Sequence, residues 1–142
     1  MERKASAVWK GNLREGAGSV STQSGVLRDA PYSFTTRFEN SPGTNPEELI
    51  SAAHAGCFSM ALSAQLMTLR LTADKIATSA TLTFEKLEPG WTITKIHLDV
   101  TARVPGASAE AFAGAAASAK ANCPVSRVLK ADITMSAKLE NE

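Results

Sequence analysis

Two cysteines and two histidines, Cys57, Cys123, His54 and His97, are the side chains of this 142-residue sequence best suited to nucleophilic or acid–base chemistry. The thiolate, not the thiol, is the reactive form of cysteine, so the question for each is what would lower its pKa. Cys123 stands just before Pro124 at a predicted helix start, where the helix dipole favours an anion. Cys57 lies in the middle of a long uncharged segment, and apolar surroundings raise a thiol's pKa unless a cation stands beside it. Without such a partner Cys57 reads as a small buried hydrophobe, a common role for free cysteine. His54 precedes Cys57 by three residues and shares its helix face. Same-helix neighbours at this spacing align poorly for proton transfer, and no third orienting residue is evident, so His54 reads as a polar residue packed at an interface. His97 falls on the solvent side of an alternating segment and reads as a surface residue.

Other chemistries find no support. The cysteines and histidines are too few and too scattered for a zinc site built from several of them. No GxSxG elbow, GxxxxGK[ST] loop or GxGxxG turn occurs. With 15 Lys and Arg against 14 Asp and Glu, the net charge of +1 gives no footprint for nucleic acid or an anionic membrane surface. The start, MERKASAVWK, lacks the apolar core of a secretory signal, which makes the cytoplasm the expected compartment and reduced thiols the expected state.

The elements that must position these residues follow from pattern. The chain has the size of one ordinary soluble domain over 1–142, able to bury a core without a disulfide framework. Over 1–40, Ala5–Lys10, Gly18–Thr22 and Tyr32–Phe38 are rich in Val, Trp, Thr, Tyr and Phe and punctuated by glycines, predicting a β-meander. A polar Pro/Gly loop then leads to a central helix over 45–70, with Asn45 as N-cap, Pro46 in first position, and Glu47 and Glu48 in the first turn. Between Glu48 and Arg70 no residue is charged. The length would admit a membrane span, but Ser51, His54, Ser59, Ser63, Gln65 and Thr68 interrupt it. It reads instead as a core helix packed on several sides, partly by a second subunit. Over 73–142, Ala80–Leu87 and Trp91–Val104 alternate around Glu88-Pro89-Gly90 as a hairpin. An alanine-rich helix from about Ser108 to Ala121, a helical turn after Cys123 and a strand from Ile133 to Leu139 complete the chain. Strand runs segregated around helices predict an α+β fold.

Three segments together resemble the OsmC/Ohr superfamily: Thr44-Asn45-Pro46-Glu47-Glu48-Leu49-Ile50, Ala52-Ala53-His54-Ala55 with Cys57-Phe58-Ser59-Met60-Ala61-Leu62, and Cys123-Pro124-Val125-Ser126. Ser21-Thr22, Ser24-Gly25-Val26-Leu27, Pro31-Tyr32 and Thr36-Arg37-Phe38-Glu39 resemble its OsmC branch in particular. The resemblance implies antiparallel sheets wrapped around a long central helix in an intertwined homodimer. It implies a thiol peroxidase that reduces organic hydroperoxides in stress defence, without a bound cofactor, and with an external dithiol, such as a lipoylated protein, as electron donor. It makes Cys57 the peroxidatic cysteine, Cys123 the resolving cysteine, Arg37 the arginine that activates the thiolate and Glu47 the carboxylate that holds that arginine. Arg14 is the alternative arginine, because the sister branch places its arginine in the earlier hairpin.

Glu47 and Cys57 are ten residues apart on one helix, hence about 15 Å apart along its axis. If Glu47 serves the site, the partner subunit is expected to supply it. Phe58, Met60 and Leu62 are expected to line an apolar pocket that favours alkyl or fatty-acid hydroperoxides over hydrogen peroxide. Two other readings stand beside the enzyme: a lipid or acyl-ligand binding module with passive cysteines, and a redox sensor.

Overall fold

The computed structural model describes residues 1–141 and is mixed α+β, with two separate three-stranded sheets. The chain divides into two compact units, Met1–Leu49 and the part from Ile50 onward.

The first unit is a meander of β1 (Ala5–Lys10), β2 (Ala17–Thr22) and β3 (Ala30–Tyr32), antiparallel throughout. Trp9 and Tyr32 flank Gly18 in register, and their rings close to 5.4 Å between centroids. A Cβ on Gly18 would lie 2.5 Å from the Tyr32 ring and 2.7 Å from that of Trp9, so only glycine lets the two aromatics meet over β2. The predicted strand over Tyr32–Phe38 is not formed: β3 ends at Tyr32 and a short helix α1 (Phe34–Phe38) follows. The cause is local. Ser33 caps α1 by accepting from the Thr36 N–H, while the Thr36 hydroxyl accepts from the Ser33 N–H, and this reciprocal box outweighs the strand preference of Phe and Thr.

Helix α2 (Pro46–Thr68) starts where the sequence predicts. Asn45 Oδ1 accepts from the Glu48 N–H at 2.8 Å, and Pro46 occupies the first position, where its missing N–H costs nothing.

In the second unit β4 (Lys75–Leu87) and β5 (Gly90–Arg103) form the predicted hairpin, longer at its outer end than its alternation suggested. Gly90, with φ of 134°, closes the turn in a conformation that a side chain would resist. The alternation of β5 is realised in full: Ile96, Leu98, Val100 and Ala102 are buried. Helix α3 (Ala109–Asn122), capped by Ser108, and the short α4 (Pro124–Val128) lead to β6 (Asp132–Leu139). β6 pairs with β5 in parallel, an exception to the expected antiparallel sheets. Two helices between the paired strands supply the long connection that a parallel pair requires.

The core lies between this sheet and the helices of the same unit. Phe58, Leu62 and Leu66, spaced by four on α2, are wholly inaccessible and cluster with Ile96, Leu98, Val100, Phe112, Ala116 and Ala119. The alanines of α3 keep its surface shallow at the contact. By length and composition α2 could cross a membrane, with a mean hydropathy of 1.3; only 22% of that window is buried, as one stripe that belongs to this core, so within this chain the helix is not packed on several sides as its uncharged run suggests. Leu62→Ala should therefore lower unfolding free energy by about 3 kcal/mol in denaturant titration; a loss below about 1 kcal/mol would contradict this placement of the core.

Candidate functional site

Pro124 organises the cysteine it follows. It cannot continue α3, so that helix ends at Asn122, with the Cys123 N–H still donating to Ala119 O at 2.9 Å. The proline also holds Cys123 out of the helical region, at φ −54° and ψ 127°. Cys123 is thus both the end of α3 and the start of α4, and it is fully buried.

Cys57 is the immediate neighbour of the core anchor Phe58 and is half-buried. The two sulfurs are 2.8 Å apart, though the residues are separated by 66 positions. Both thiols are free. The distance is far below ordinary contact between sulfurs, so forming a disulfide of about 2.05 Å requires only a small approach.

Electrostatically the two thiols differ. Burial pushes the Cys57 thiol up, and its hydrogen bond to Cys123 adds to this, with only the Val125 N–H acting downward. Burial also pushes Cys123 up, but there it is outweighed by hydrogen bonds from Cys57, from the Ser126 N–H and hydroxyl, and from the Val125 N–H, so its pKa falls. The contact itself would let either sulfur donate. Within its own unit, Cys57 has the apolar setting that the sequence indicated.

His54 is fully buried, and its Nε2 lies 2.7 Å from Ser126 Oγ. Burial lowers its pKa, so the ring is neutral at neutral pH. It bonds to α4 rather than to Cys57, and it is buried inside its own unit rather than packed at an interface. The resemblance assigns Ser126 no role, and no local sequence signal shows that it faces a residue 72 positions away. His97 is not a free surface residue. Its Nδ1 meets Thr134 Oγ1 at 2.6 Å and its Nε2 meets Ser136 Oγ at 3.2 Å, which ties β5 to β6.

In the first unit Arg37, on α1, grips Glu47 in the first turn of α2. Arg37 Nη2 donates to Glu47 Oε1 at 2.8 Å and Nε donates to the two carboxylate oxygens at 3.1 and 3.2 Å. Glu47 is buried, so the pair is well shielded from solvent on the carboxylate side. This assigns Glu47 to the arginine of its own chain, so any service to a thiol is given by the two residues together. Arg37 also lies over the Phe38 ring at 5.4 Å, and Arg14 lies over the Phe34 ring at 4.9 Å. A cavity of about 260 Å³ opens among Trp9, Leu13, Tyr32, Phe34, Arg37 and Phe38. It is an apolar space with one guanidinium in its wall. The expected lining by Phe58 and Leu62 is not realised, because both are wholly buried against the sheet; only Met60 of that set is exposed, at 77%. Among the described residues no three His, Cys, Asp or Glu side chains gather as a metal site.

An α+β fold that brings two free thiols into contact, one beside a core anchor and the other at a helix junction, defines a dithiol site able to cycle to a disulfide. The chain belongs to the OsmC-like protein family, whose model it matches over residues 38–138. It is 50% identical over 141 residues to Peroxiredoxin OsmC of Escherichia coli strain K12, covering 99% of both chains. Among solved structures it resembles an OsmC-like protein of unknown function from Vibrio cholerae, with a TM-score of 0.77 and 18% identity over 96% of this chain and 99% of that one. It also resembles the organic hydroperoxide resistance protein OhrB of Bacillus subtilis, with a TM-score of 0.69 and 21% identity over 95% and 98%.

Oxidation by diamide should join Cys57 to Cys123 within one chain and leave far-ultraviolet circular dichroism unchanged. A disulfide-linked dimer as the main product on a non-reducing gel would contradict the geometry.

Proposed function

We propose that this chain is a cysteine peroxidase that reduces organic hydroperoxides to alcohols in stress defence. The sulfur–sulfur contact of 2.8 Å carries the reading, in a chain half identical over its full length to a peroxiredoxin. Cys57 gives up its proton, its thiolate attacks the distal peroxide oxygen, the O–O bond breaks, the departing alkoxide takes up that proton as the alcohol, and Cys57 becomes a sulfenic acid. The Cys123 thiol then loses its proton and attacks that sulfur, the S–O bond breaks, and the departing hydroxide takes up the released proton as water. An external dithiol, for which a lipoylated protein is the expected form, reduces the resulting disulfide by exchange.

The site as built within the second unit lacks the cation that Cys57 requires, since burial and Cys123 both raise its pKa. Arg37 is the residue we assign to this role, preorganised by Glu47, with its charge also stabilising the peroxide oxygens as the O–O bond breaks. Helical geometry separates Glu47 from Cys57 by about 15 Å, so in our reading the Arg37–Glu47 pair serves the thiol of the partner subunit. The face of α2 left open supports a homodimer. Ala52, Ala53, Gly56, Met60, Ala64 and Met67 are exposed there, Met60 at 77% and Met67 at 70%. The aromatic cavity around Arg37 is the fitting place for the alkyl part of a hydroperoxide. A reducing cytoplasm, where a dithiol donor can reset the disulfide, is the compartment this cycle needs. A passive ligand-binding module is not favoured, because it has no use for two thiols in contact.

One equivalent of cumene hydroperoxide should consume both thiols of the wild-type protein, several-fold faster than hydrogen peroxide does. Thiol titration that finds both thiols retained would end the peroxidase reading, and equal or greater reactivity with hydrogen peroxide would end the assignment of an apolar substrate site.

A further inference from the structure

Two links join α2 to the start of α4, about one helical turn apart. Cys57 Sγ lies 2.8 Å from Cys123 Sγ, and His54 Nε2 lies 2.7 Å from Ser126 Oγ. The spacing is the same on both sides: His54 precedes Cys57 by three residues on α2, and Ser126 follows Cys123 by three residues at the start of α4. Positions three apart share a helix face, so the hydrogen bond runs beside the sulfur contact. α4 has little else to hold it. It is five residues long, none of them is buried, and its cap makes no side-chain hydrogen bond. A helix of that length is not stable by itself. Ala115, Ala116 and Ala119 fix the chain before Cys123 in the core, whereas the chain after it meets α2 through Ser126. His54, by contrast, is wholly inaccessible, and its Nδ1 is buried without a hydrogen bond. Burying an imidazole with one nitrogen unpaired costs free energy that a leucine in the same place would not incur. What the ring gains there is its bond to Ser126. That bond forms in either tautomer, since Nε2 can donate to the hydroxyl oxygen or accept its proton.

We propose that His54 and Ser126 are positioning residues for the dithiol: their hydrogen bond clasps α4 to α2 and so keeps Cys123 Sγ beside Cys57 Sγ. The clasp acts through the backbone of α4, and neither residue touches the reacting oxygen. The proposal rests on the peroxidase reading only for the step it serves, closure of the disulfide on the Cys57 sulfenic acid. In that step the S–S bond forms, the S–O bond breaks, and the proton released by Cys123 leaves with hydroxide as water. Two links in parallel support each other. A closed clasp removes freedom that Cys123 would otherwise lose on bonding to Cys57, so it raises the effective concentration of one sulfur at the other. The approach from 2.8 Å to about 2.05 Å is small enough for the clasp to persist in the disulfide form. By linkage, the clasp therefore stabilises the disulfide relative to the dithiol, and the disulfide stabilises the clasp by the same factor.

The test is the equilibrium of the full-length protein with glutathione and glutathione disulfide, without peroxide. Two electrons and two protons pass from Cys57 and Cys123 to glutathione disulfide, which gives the protein disulfide and two glutathione thiols. Ser126→Ala should lower that equilibrium constant about tenfold, on the order of one net hydrogen bond, which makes the reduction potential about 30 mV more positive. Ser126→Thr, which keeps the hydroxyl, should stay near wild type. His54→Leu should match Ser126→Ala, and the double variant should lose no more than either single one, because each change removes the same bond. An unchanged constant in Ser126→Ala overturns the proposal, as does an equal fall in Ser126→Thr or a double variant whose loss is the product of the single losses. A lower melting temperature with an unmoved constant marks a bond that serves the fold alone and also overturns it. If His54→Leu does not fold, the two serine variants decide. Because no peroxide is used, the proposal and the peroxidase reading stand or fall separately.

Discussion

Two sulfur atoms lie within 2.8 Å of each other although 66 residues separate them, and much of the second unit serves to keep them there. Phe58, Leu62 and Leu66 lock the rotation and height of α2 against the β4–β5–β6 sheet, and Cys57, adjacent to Phe58, inherits that setting. On the other side, Phe112, Ala115, Ala116 and Ala119 seat α3 against the same core, so the point at which α3 ends is fixed. Pro124 then forces the break that turns Cys123 toward α2.

The contact also sets the electrostatics. Burial and the neighbouring sulfur hold the Cys57 thiol above its ordinary pKa, whereas hydrogen bonds bring that of Cys123 below it. In the proposed cycle the guanidinium of Arg37, held in a fork by buried Glu47, tips the first step. The neutral donors of α4 prepare the second. In that cycle the charge of Arg37 and the hydrogen bonds around Cys123 act on different sulfurs.

How much of this was legible in the sequence varied with the range of the interaction. The strict alternation of Ile96, Leu98, Val100 and Ala102 identified both the strand and its buried face, because period two leaves no ambiguity about sides. Asn45-Pro46 marked the start of α2 because capping is local chemistry. Tyr32–Phe38 misled, since strand propensity is weak beside the box formed by Ser33 and Thr36. The parallel β6 and the meeting of His54 with Ser126 depend on contacts across dozens of residues, for which no local pattern exists. Phe58 and Leu62 were misassigned to a substrate pocket for a related reason. A helix uncharged on every side does not announce which stripe faces the sheet, and theirs does. The roles of Cys57, Cys123, Arg37 and Glu47 came from family resemblance. The structure adds that the cysteines meet in one unit, that Arg37 and Glu47 pair in the other, and that the aromatic cavity borders Arg37.

The central claim is that Cys57, the less acidic thiol within its own unit, is nevertheless the one that attacks peroxide. Trapping of the sulfenic acid tests it most directly. Cys123→Ser and Cys57→Ser are each treated with less than one equivalent of cumene hydroperoxide in the presence of dimedone, and the adducts are mapped by mass spectrometry. The account predicts an adduct on Cys57 in Cys123→Ser and none on Cys123 in Cys57→Ser; an adduct on Cys123 formed at a comparable rate would contradict it.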